Sequence, residues 1–232
     1  MPNGSGTSGH ESRSARTRAQ LIEAAIEVIG SVGYEGASTR ALAKAANTTL
    51  SAIPYHFGGK KELYLAAARM IADYASERCE EVTRILEGVP DEDKAGRFEE
   101  ALICLLHIIL EDAEPHSWTA FVARCTYDND EAFTLIYDQA IAPLLDRLIL
   151  AASDFSRRPP DDKALRLRVS AIVTAIASFK FLRGIMLRSM DWETIQENCI
   201  RQIEDMVCDL CRTDFLENEP SRDQQVPFGT FK

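Results

Sequence analysis

The sequence predicts an all-α protein of about nine helices. Apolar residues recur at helical spacing along most of the 232 residues, and no stretch sustains the alternation that is typical of a strand. Glycine, proline and short polar runs separate these periodic stretches, as expected at the ends of helices. The apolar share of 46% is enough for a sizeable core that needs neither disulfides nor metals.

Residues 1–62 predict an arm followed by a module of three helices. The arm, residues 1–12, is rich in Gly and Ser and is expected to be disordered. The module, residues 13–62, opens with a helix that the glycines at 33 and 36 bring to an end. The apolar face of this helix consists of Leu21, Ile22, Ala25, Ile26 and Ile29.

Two short helices complete the module. Ser38 or Thr39 is expected to cap the first of them. Asn47, a residue that tolerates the left-handed conformation, supplies the turn that follows. Thr48 or Thr49 then caps a helix of about two turns.

Residues 63–212 predict a helical body. The long helices expected from residue 60 onward are 60–86, 94–112, 117–125, 130–152, 163–189 and 192–211. Pro143 is expected to kink or split the fourth of these. The tail, residues 213–232, is expected to be mobile.

Two short helices around a tight turn, followed by a basic entrance to a long helix, are the layout of a helix-turn-helix module. In such modules the second short helix, called the reading helix below, enters the major groove of DNA. The net charge of −10 argues against nucleic acid, but the charge is unevenly distributed. Residues 1–64 carry seven Lys and Arg against five Asp and Glu, which leaves +2 there and −12 on the remainder. The sequence therefore predicts a DNA-binding module on an acidic body.

The residues after the turn permit a closer comparison. The reading helix ends in an aromatic run and Phe-x-x-Lys-x-x-Leu, which residues 55–63 carry as YHFGGKKEL. Together with the preceding residues from Thr17, this segment resembles the module of TetR-family transcriptional regulators. Residues 51–64 and 121–148 further resemble the CecR (YbiH)-like branch of that family. The resemblance implies a homodimeric repressor that a small molecule releases from a palindromic double-stranded DNA operator.

The candidate DNA-binding residues form two groups. Side chains at the start of the reading helix are expected to reach base edges, and these are Thr49, Leu50, Ser51 and Ala52. Hydroxyl, ring-nitrogen and cationic groups suit backbone phosphates, and these are Arg40, Tyr55, His56 and Lys60. Three arginines at the start of the first helix could contact DNA phosphates or the minor groove, or could remain solvated. They are Arg13, Arg16 and Arg18.

One residue departs from the family pattern. Pro54 stands where the family commonly has Tyr, so the phosphate contact of that Tyr is not carried over. A proline inside a short helix removes one backbone hydrogen bond and can kink the helix. We therefore expect Pro54 to disturb the reading helix.

The last two long helices predict a dimer interface. Their apolar residues alternate spacings of four and three, which is typical of paired helices. The TetR resemblance implies that these helices form a four-helix bundle between two protomers. The expected interface residues are Val169, Ile172, Ile176, Phe179, Ile200, Ile203 and Val207. Packing of the same residues within one protomer is the alternative.

The resemblance also implies an effector pocket among the central helices. Aromatic, Met and His side chains there are candidates, although such side chains more often belong to a core. The candidates are Met70, Tyr74, Phe98, His107, Trp118, Phe121, Tyr137 and Phe181. The helix that starts at residue 60 joins this region to the DNA module and is expected to transmit a population shift.

Other classes of function have weaker support. The four histidines are scattered and the glycines lack phosphate-loop spacing, so we expect no enzyme, no metal and no cofactor. Cys208 and Cys211 form the one motif-like pair among six cysteines that we expect to be reduced. The sequence shows no signal peptide or membrane span, which predicts a cytoplasmic protein. The alternative function is a helical protein-interaction scaffold without sequence-specific DNA binding.

Overall fold

A computed structural model describes residues 7–88, 93–110 and 115–212, and all regular structure in these ranges is helical. The helices are α1 (Thr7–Gly36), α2 (Thr39–Ala45), α3 (Ala52–Phe57), α4 (Lys60–Leu86), α5 (Lys94–Leu110), α6 (His116–Asp128), α7 (Glu131–Ile136), α8 (Ala142–Ser156), α9 (Lys163–Phe181), α10 (Arg183–Ser189) and α11 (Glu197–Cys211). A π-helical turn, Tyr137–Ile141, lies between α7 and α8. The all-α prediction is confirmed, and the predicted tail lies outside the described residues.

The N-terminal module follows the predicted order of helices. α1 begins at Thr7, so residues 7–12 of the expected disordered arm are helical. The helical path breaks at Gly33, whose φ of 78° is accessible to glycine at little cost. Ser38 caps α2 because its hydroxyl accepts the Ala41 N–H at 3.1 Å. Asn47 adopts the expected left-handed conformation, with φ of 47°.

The segment expected as one helix over residues 130–152 runs on without a break as α7, the π-helical turn and α8. Pro143 lies in the first turn of α8 and has no N–H to donate to a preceding carbonyl. The backbone widens just before it, and the Ala142 N–H bonds the Tyr137 carbonyl five residues back. The Ser76 hydroxyl donates to the Gln139 carbonyl at 3.1 Å. The proline is thus accommodated by a π-helical turn.

The segment expected as one helix over residues 163–189 is instead sharply bent. α9 and α10 meet at 83°, and Leu182 between them has a non-helical backbone (φ −114°, ψ 21°). Gly184, two residues further on, has a low helix propensity. Among the described residues, no single helix has the length and apolar composition to cross a membrane. α9 and α10 meet that test only as a bent pair.

Two apolar cores meet along α4. The first joins α1, α2 and α3 to α6, α7 and the first half of α4, with Phe121 among its largest buried side chains. The second joins α5, α8, α9 and α11 to the second half of α4, with Phe98 at its centre. α4 contributes Leu63 to the first core and Val82 to the second. The helix that leaves the DNA module is therefore also a wall of the body.

Candidate DNA interface and ligand cavity

The turn between α2 and α3 presents three exposed side chains. Thr49, Leu50 and Ser51 precede α3, and Leu50 is 49% exposed. The hydroxyls of Thr49 and Ser51 lie 3.1 Å apart and share a hydrogen bond. An apolar side chain between two hydroxyls offers both methyl contacts and hydrogen bonds to base edges.

Ala52 does not belong to this exposed surface. α3 begins at Ala52, three residues later than a helix capped by Thr48 would. The Ala52 side chain is 8% exposed and packs in the first core. Because its methyl group is covered by the module itself, it has no access to a base edge. We therefore remove Ala52 from the candidate DNA-binding residues.

The late start of α3 also changes the effect of Pro54. Pro54 is the third residue of α3, and N–H groups in the first turn have no acceptor within the helix. A proline there removes no helical hydrogen bond. The Tyr55 N–H still donates to the Ser51 carbonyl at 3.1 Å, and the Gly58 N–H to the Pro54 carbonyl at 3.0 Å. The expected loss of a backbone bond at Pro54 does not occur.

Aromatic and cationic groups meet between α1 and α3. Arg13, Tyr55 and His56 line one surface groove of 210 Å³. Tyr55 is 75% exposed, and its ring meets the His56 ring edge to face with centroids 4.9 Å apart. Two of the predicted phosphate-binding residues therefore lie beside an arginine of α1. Arg40, in the first turn of α2, is exposed as well.

Two lysines at the start of α4 have different surroundings. The Lys60 ammonium lies 4.2 Å from the centroid of the Tyr34 ring, a cation–π contact. The Lys61 ammonium lies 2.6 Å from a Glu131 carboxylate oxygen, and this hydrogen bond raises the pKa of Lys61. A cation at a helix N-terminus is disfavoured by about 0.3–1 kcal/mol, and a bound phosphate would reverse this cost. Among the residues that the structure describes, a carboxylate pairs with Lys61 and none pairs with Lys60.

Side chains from α4, α6 and the start of α7 fasten the DNA module to the body. The Arg124 guanidinium on α6 donates to two carbonyls of α1, those of Gly30 at 2.8 Å and Ser31 at 2.6 Å. The Tyr64 hydroxyl on α4 donates to Asp130 at 2.6 Å. Burial first, and then this bond, raise the pKa of Tyr64. α6 and the start of α7 are thus hydrogen-bonded directly to α1 and α4.

An apolar cavity of 160 Å³ lies among α4, α5, α6 and α9. Three of the predicted pocket residues line it, namely Tyr74, Trp118 and Phe181. The Tyr74 and Trp118 rings meet edge to face with centroids 5.3 Å apart. A dry cavity of about 150 Å³ is known to be large enough for benzene. The cavity is therefore large enough for one ring or a short chain.

The other five predicted pocket residues lie elsewhere, namely Met70, Phe98, His107, Phe121 and Tyr137. Both phenylalanines are 1% exposed within the cores, and the methionine packs against the first core. The histidine is exposed, and its Nε2 lies 2.5 Å from a Glu204 carboxylate oxygen. The tyrosine is 39% exposed, and its ring lies tilted against that of Phe133 with centroids 6.0 Å apart. None of the five lines the apolar cavity, so their prediction as pocket residues gains no support from it.

Ten further residues line the apolar cavity, and three of these carry ionisable groups that the sequence reasoning missed. Arg78 and Cys79 belong to α4, and Lys180 belongs to α9. Burial raises the pKa of the Cys79 thiol to about 11. The sequence did contain a signal, since Arg78 follows Tyr74 by one helical turn and Lys180 precedes Phe181.

A second, polar cavity of 420 Å³ lies between α4, the π-helical turn and α8. Cys79 lines this cavity too. Its charged lining residues have both signs, and Glu87 forms an ion pair with Arg147. Its charges therefore balance one another within the protein.

The predicted dimer residues are mostly inside the protomer. Five of them are at most 3% exposed in the second core, namely Val169, Ile172, Ile176, Ile203 and Val207. Phe179 and Ile200 are half-buried. The spacing of four and three thus packs these helices within one protomer, and the prediction is wrong for the five buried residues. Exposed apolar side chains lie instead elsewhere along α9 and α10 and just beyond their ends, namely Leu167, Phe181, Leu182, Ile185 and Met190.

In the ranges that the structure describes, no cluster of His, Cys, Asp or Glu has the grouping of a metal site. Cys208 is half-buried and Cys211 is buried, and neither forms a disulfide within the part of the chain that the structure describes. Burial raises the pKa of the Cys208 thiol.

A helix-turn-helix with an exposed turn, joined by one long helix to a helical body with a cavity, is the architecture of a DNA-binding transcriptional regulator.

Comparison with known families identifies the class more closely. Residues 21–67 match the family described as "Bacterial regulatory proteins, tetR family". Residues 95–216, more than half of the chain, match the "HTH-type transcriptional dual regulator CecR, C-terminal domain". The chain belongs to the TetR family of transcriptional regulators, and its body is a CecR-type C-terminal domain.

Individual relatives agree with this assignment. The chain is 28% identical to the HTH-type transcriptional dual regulator CecR of Shigella flexneri over 207 residues, which cover 87% of this chain and 91% of that protein. It is 27% identical to the HTH-type transcriptional regulator PksA of Bacillus subtilis over 173 residues, 72% and 78% of the two chains. A TetR-family regulator from Mesorhizobium loti superposes with a TM-score of 0.58 at 15% identity, covering 87% and 96%. This last likeness concerns the fold alone.

Proposed function

We propose that this protein is a homodimeric repressor that leaves a palindromic operator when a small molecule occupies the apolar cavity. One observation supports this proposal above all others. α4 carries Lys60 and Tyr64 at the DNA module and Tyr74 and Arg78 at the cavity. A ligand that shifts α4 would therefore shift the reading helix as well.

The proposed DNA-contacting surface consists of Arg40, Thr49, Leu50, Ser51, Tyr55, His56 and Lys60. The three residues of the turn would read base edges, because they are exposed and lie just before α3. Lys60 and the groove lined by Tyr55 and His56 would contact phosphates. Such a protein acts in the cytoplasm, by binding rather than by catalysis.

A second copy of the chain is the proposed partner at α9 and α10. Leu167, Leu182 and Ile185 are 71%, 54% and 66% exposed, and exposed apolar side chains grouped on one helix pair suit an interface. A single short reading helix contacts few bases, so operator specificity needs two half-sites. Two protomers would place their reading helices about 34–36 Å apart, one turn of DNA.

The test is the affinity for DNA that flanks the protein's own gene, measured by fluorescence anisotropy across 50–200 mM salt. We expect tight, sequence-dependent binding and a linear fall of log K with log salt concentration. A scrambled duplex of the same length is the control. Binding that ignores both salt and sequence would instead support the protein-interaction scaffold.

A further inference from the structure

We infer that the amino-terminal half of α1 is a further DNA-contacting element, and that the groove between α1 and α3 holds one phosphate of the DNA backbone. Arg13 and Ser14 would bind this phosphate from α1, and Tyr55 and His56 would bind it from α3. The inference rests on the proposed DNA binding and adds to it a phosphate site that α3 alone cannot complete.

Every side chain that lines this groove can donate a hydrogen bond. The groove has a volume of 210 Å³, and it is lined by Arg13, Ser14, Thr17, Tyr55 and His56. Each carries an N–H or O–H group, and none of these described lining residues is a carboxylate. The Thr17 hydroxyl donates to the Arg13 carbonyl at 3.1 Å, so the other four side chains are the donors for a ligand. Several donors around one guanidinium suit an oxyanion.

The charge beside the groove is positive. Residues 12–22 of α1 contain no Asp or Glu, and neither does α3. The same stretch of α1 contains three cations, namely Arg13, Arg16 and Arg18. Local positive charge attracts a phosphate even when the whole chain is acidic, because the contact depends on the groups within reach.

The shape of the groove is fixed by contacts within the protein. The Arg18 guanidinium lies 5.1 Å from the centroid of the Phe57 ring, and this cation–π contact joins α1 to the end of α3. The Tyr55 and His56 rings meet edge to face, which orients both side chains. The groove residues of α1 precede Arg18 on the same helix, so their backbone is held relative to α3. A site arranged before binding loses less entropy when the phosphate enters.

The position of the groove favours a phosphate over a base edge. α3 ends at Phe57, and the exposed turn that would read bases lies at its other end. Arg, Ser and Tyr side chains are common phosphate ligands and carry no sequence information themselves. We therefore expect the groove to contribute affinity and salt dependence but no base preference.

Ethylation of single backbone phosphates in the DNA that flanks the protein's own gene tests the site. An ethyl group removes the charge of one phosphate, so the loss of affinity at each position reports that contact. Among the phosphates that matter to the native protein, we expect one whose ethylation weakens binding roughly tenfold. Arg13→Met should remove the effect of ethylation at this phosphate, and Tyr55→Phe should reduce it at the same one. Arg13→Met should also lower the slope of log K against log salt by about 1.

Two further variants show whether the effect belongs to the groove. Arg69→Met removes the same charge from an exposed residue of α4 that does not line the groove, and it should keep the native ethylation pattern. Lys60→Met should remove the effect at a different phosphate, because Lys60 lies against Tyr34 and is not among the residues that line the groove. Circular dichroism of each variant checks that it is folded.

Three results would overturn the inference. The first is one ethylation pattern shared by the native protein and Arg13→Met. The second is that Arg13→Met and Tyr55→Phe act at different phosphates. The third is that Arg13→Met changes the preferred bases and leaves the salt slope as it was.

A scrambled duplex separates this inference from the proposed function. Phosphate contacts do not depend on sequence, so Arg13→Met should lower the salt slope on the scrambled duplex as well. If the native protein does not prefer the flanking DNA, the proposed function fails, and a lowered slope would still support the phosphate site. If that preference exists but Arg13→Met changes neither slope nor pattern, the phosphate site fails and the proposed function stands. No binding to either duplex would refute both.

Discussion

The Tyr64 hydroxyl donates a 2.6 Å hydrogen bond to the Asp130 carboxylate. The other oxygen of the same carboxylate accepts the N–H groups of Ala132 and Phe133, each at 3.0 Å, and so caps α7. One carboxylate thus joins the helix that leaves the DNA module to the first turn of α7. This junction lies between the proposed DNA surface and the cavity, and it can be tested by removing one atom.

Tyr64→Phe should destabilise the protein by about 1.5–3 kcal/mol, because a half-buried carboxylate loses a donor. The phenyl ring keeps its contacts with Tyr34 and Phe121, so packing is retained. Urea unfolding followed by circular dichroism measures the change. Tyr127→Phe is the matched control, since that side chain is 91% exposed and should change stability by less than about 0.5 kcal/mol. An equal effect of both substitutions would contradict the assigned role of the bond.

Arg124→Met should weaken the communication between cavity and DNA, because it removes both bonds to the α1 carbonyls. We expect the affinity for a ligand of the apolar cavity to change less than about threefold, while the ligand-induced loss of operator binding shrinks several-fold. Fluorescence anisotropy measures the ratio of operator affinities without and with that ligand. Arg201→Met, which removes an exposed ion pair on α11, should leave the ratio intact.

Lys60→Met should weaken binding to every duplex alike and reduce the slope of log K against log salt by about 1, as expected for one lost phosphate contact. Ser51→Ala should instead change the preferred bases, because its hydroxyl is exposed in the turn. Binding to a library of operator variants separates the two effects. Uniform loss from both substitutions would show that the reading surface lies elsewhere.

Ile185→Asp should dissociate the proposed dimer without unfolding the protomer, because Ile185 is 66% exposed on α10. Leu150→Asp is the control, an equally apolar residue that is 54% exposed on α8. Sedimentation velocity should show monomers for the first variant and dimers for the second. Monomeric native protein, or a dimer that tolerates Ile185→Asp, would refute this interface.

Cys79 should react slowly with iodoacetamide at pH 8, because burial raises the pKa of its thiol to about 11. The thiolate is the reactive form, and a pKa two units above the ordinary 9.0 makes it on the order of a hundred times scarcer at pH 8. Alkylation should therefore accelerate as the pH rises toward 11. Peptide mapping follows this residue among the six cysteines, and the unfolded chain gives the reference rate. A native rate equal to that reference would be the contrary outcome.

The sequence predicted the module well because its signals are local. Ser38, Asn47 and Gly33 act on their own backbone, and each produces the expected cap, turn or break. The apolar face of α9 was harder to interpret. A spacing of four and three predicts that this face packs against another apolar surface, but it does not say whether that surface belongs to the same protomer. Val169 and Ile176 pack inside the protomer, in the second core.

The cavity was predictable only in part for a related reason. Tyr74 and Phe121 are both aromatic residues on central helices, yet one lines the cavity and the other fills a core. The difference depends on how four helices approach one another, which no local pattern encodes. Arg78 and Lys180 were missed because cations are expected at the surface.

The length of α4 determines how small a disturbance can matter. From Arg78 to Lys60 the helix rises about 27 Å, at about 1.5 Å per residue. If such a rod pivots by about 5° at the cavity, its far end travels about 2.4 Å, simply as a lever arm of that length. If the two protomers swing in opposite senses, the distance between their reading helices changes by twice as much, about 5 Å. The half-site spacing that they must match is about 34–36 Å. A ligand the size of a single ring would therefore need only a slight tilt to put the two reading helices out of step with the pitch of DNA.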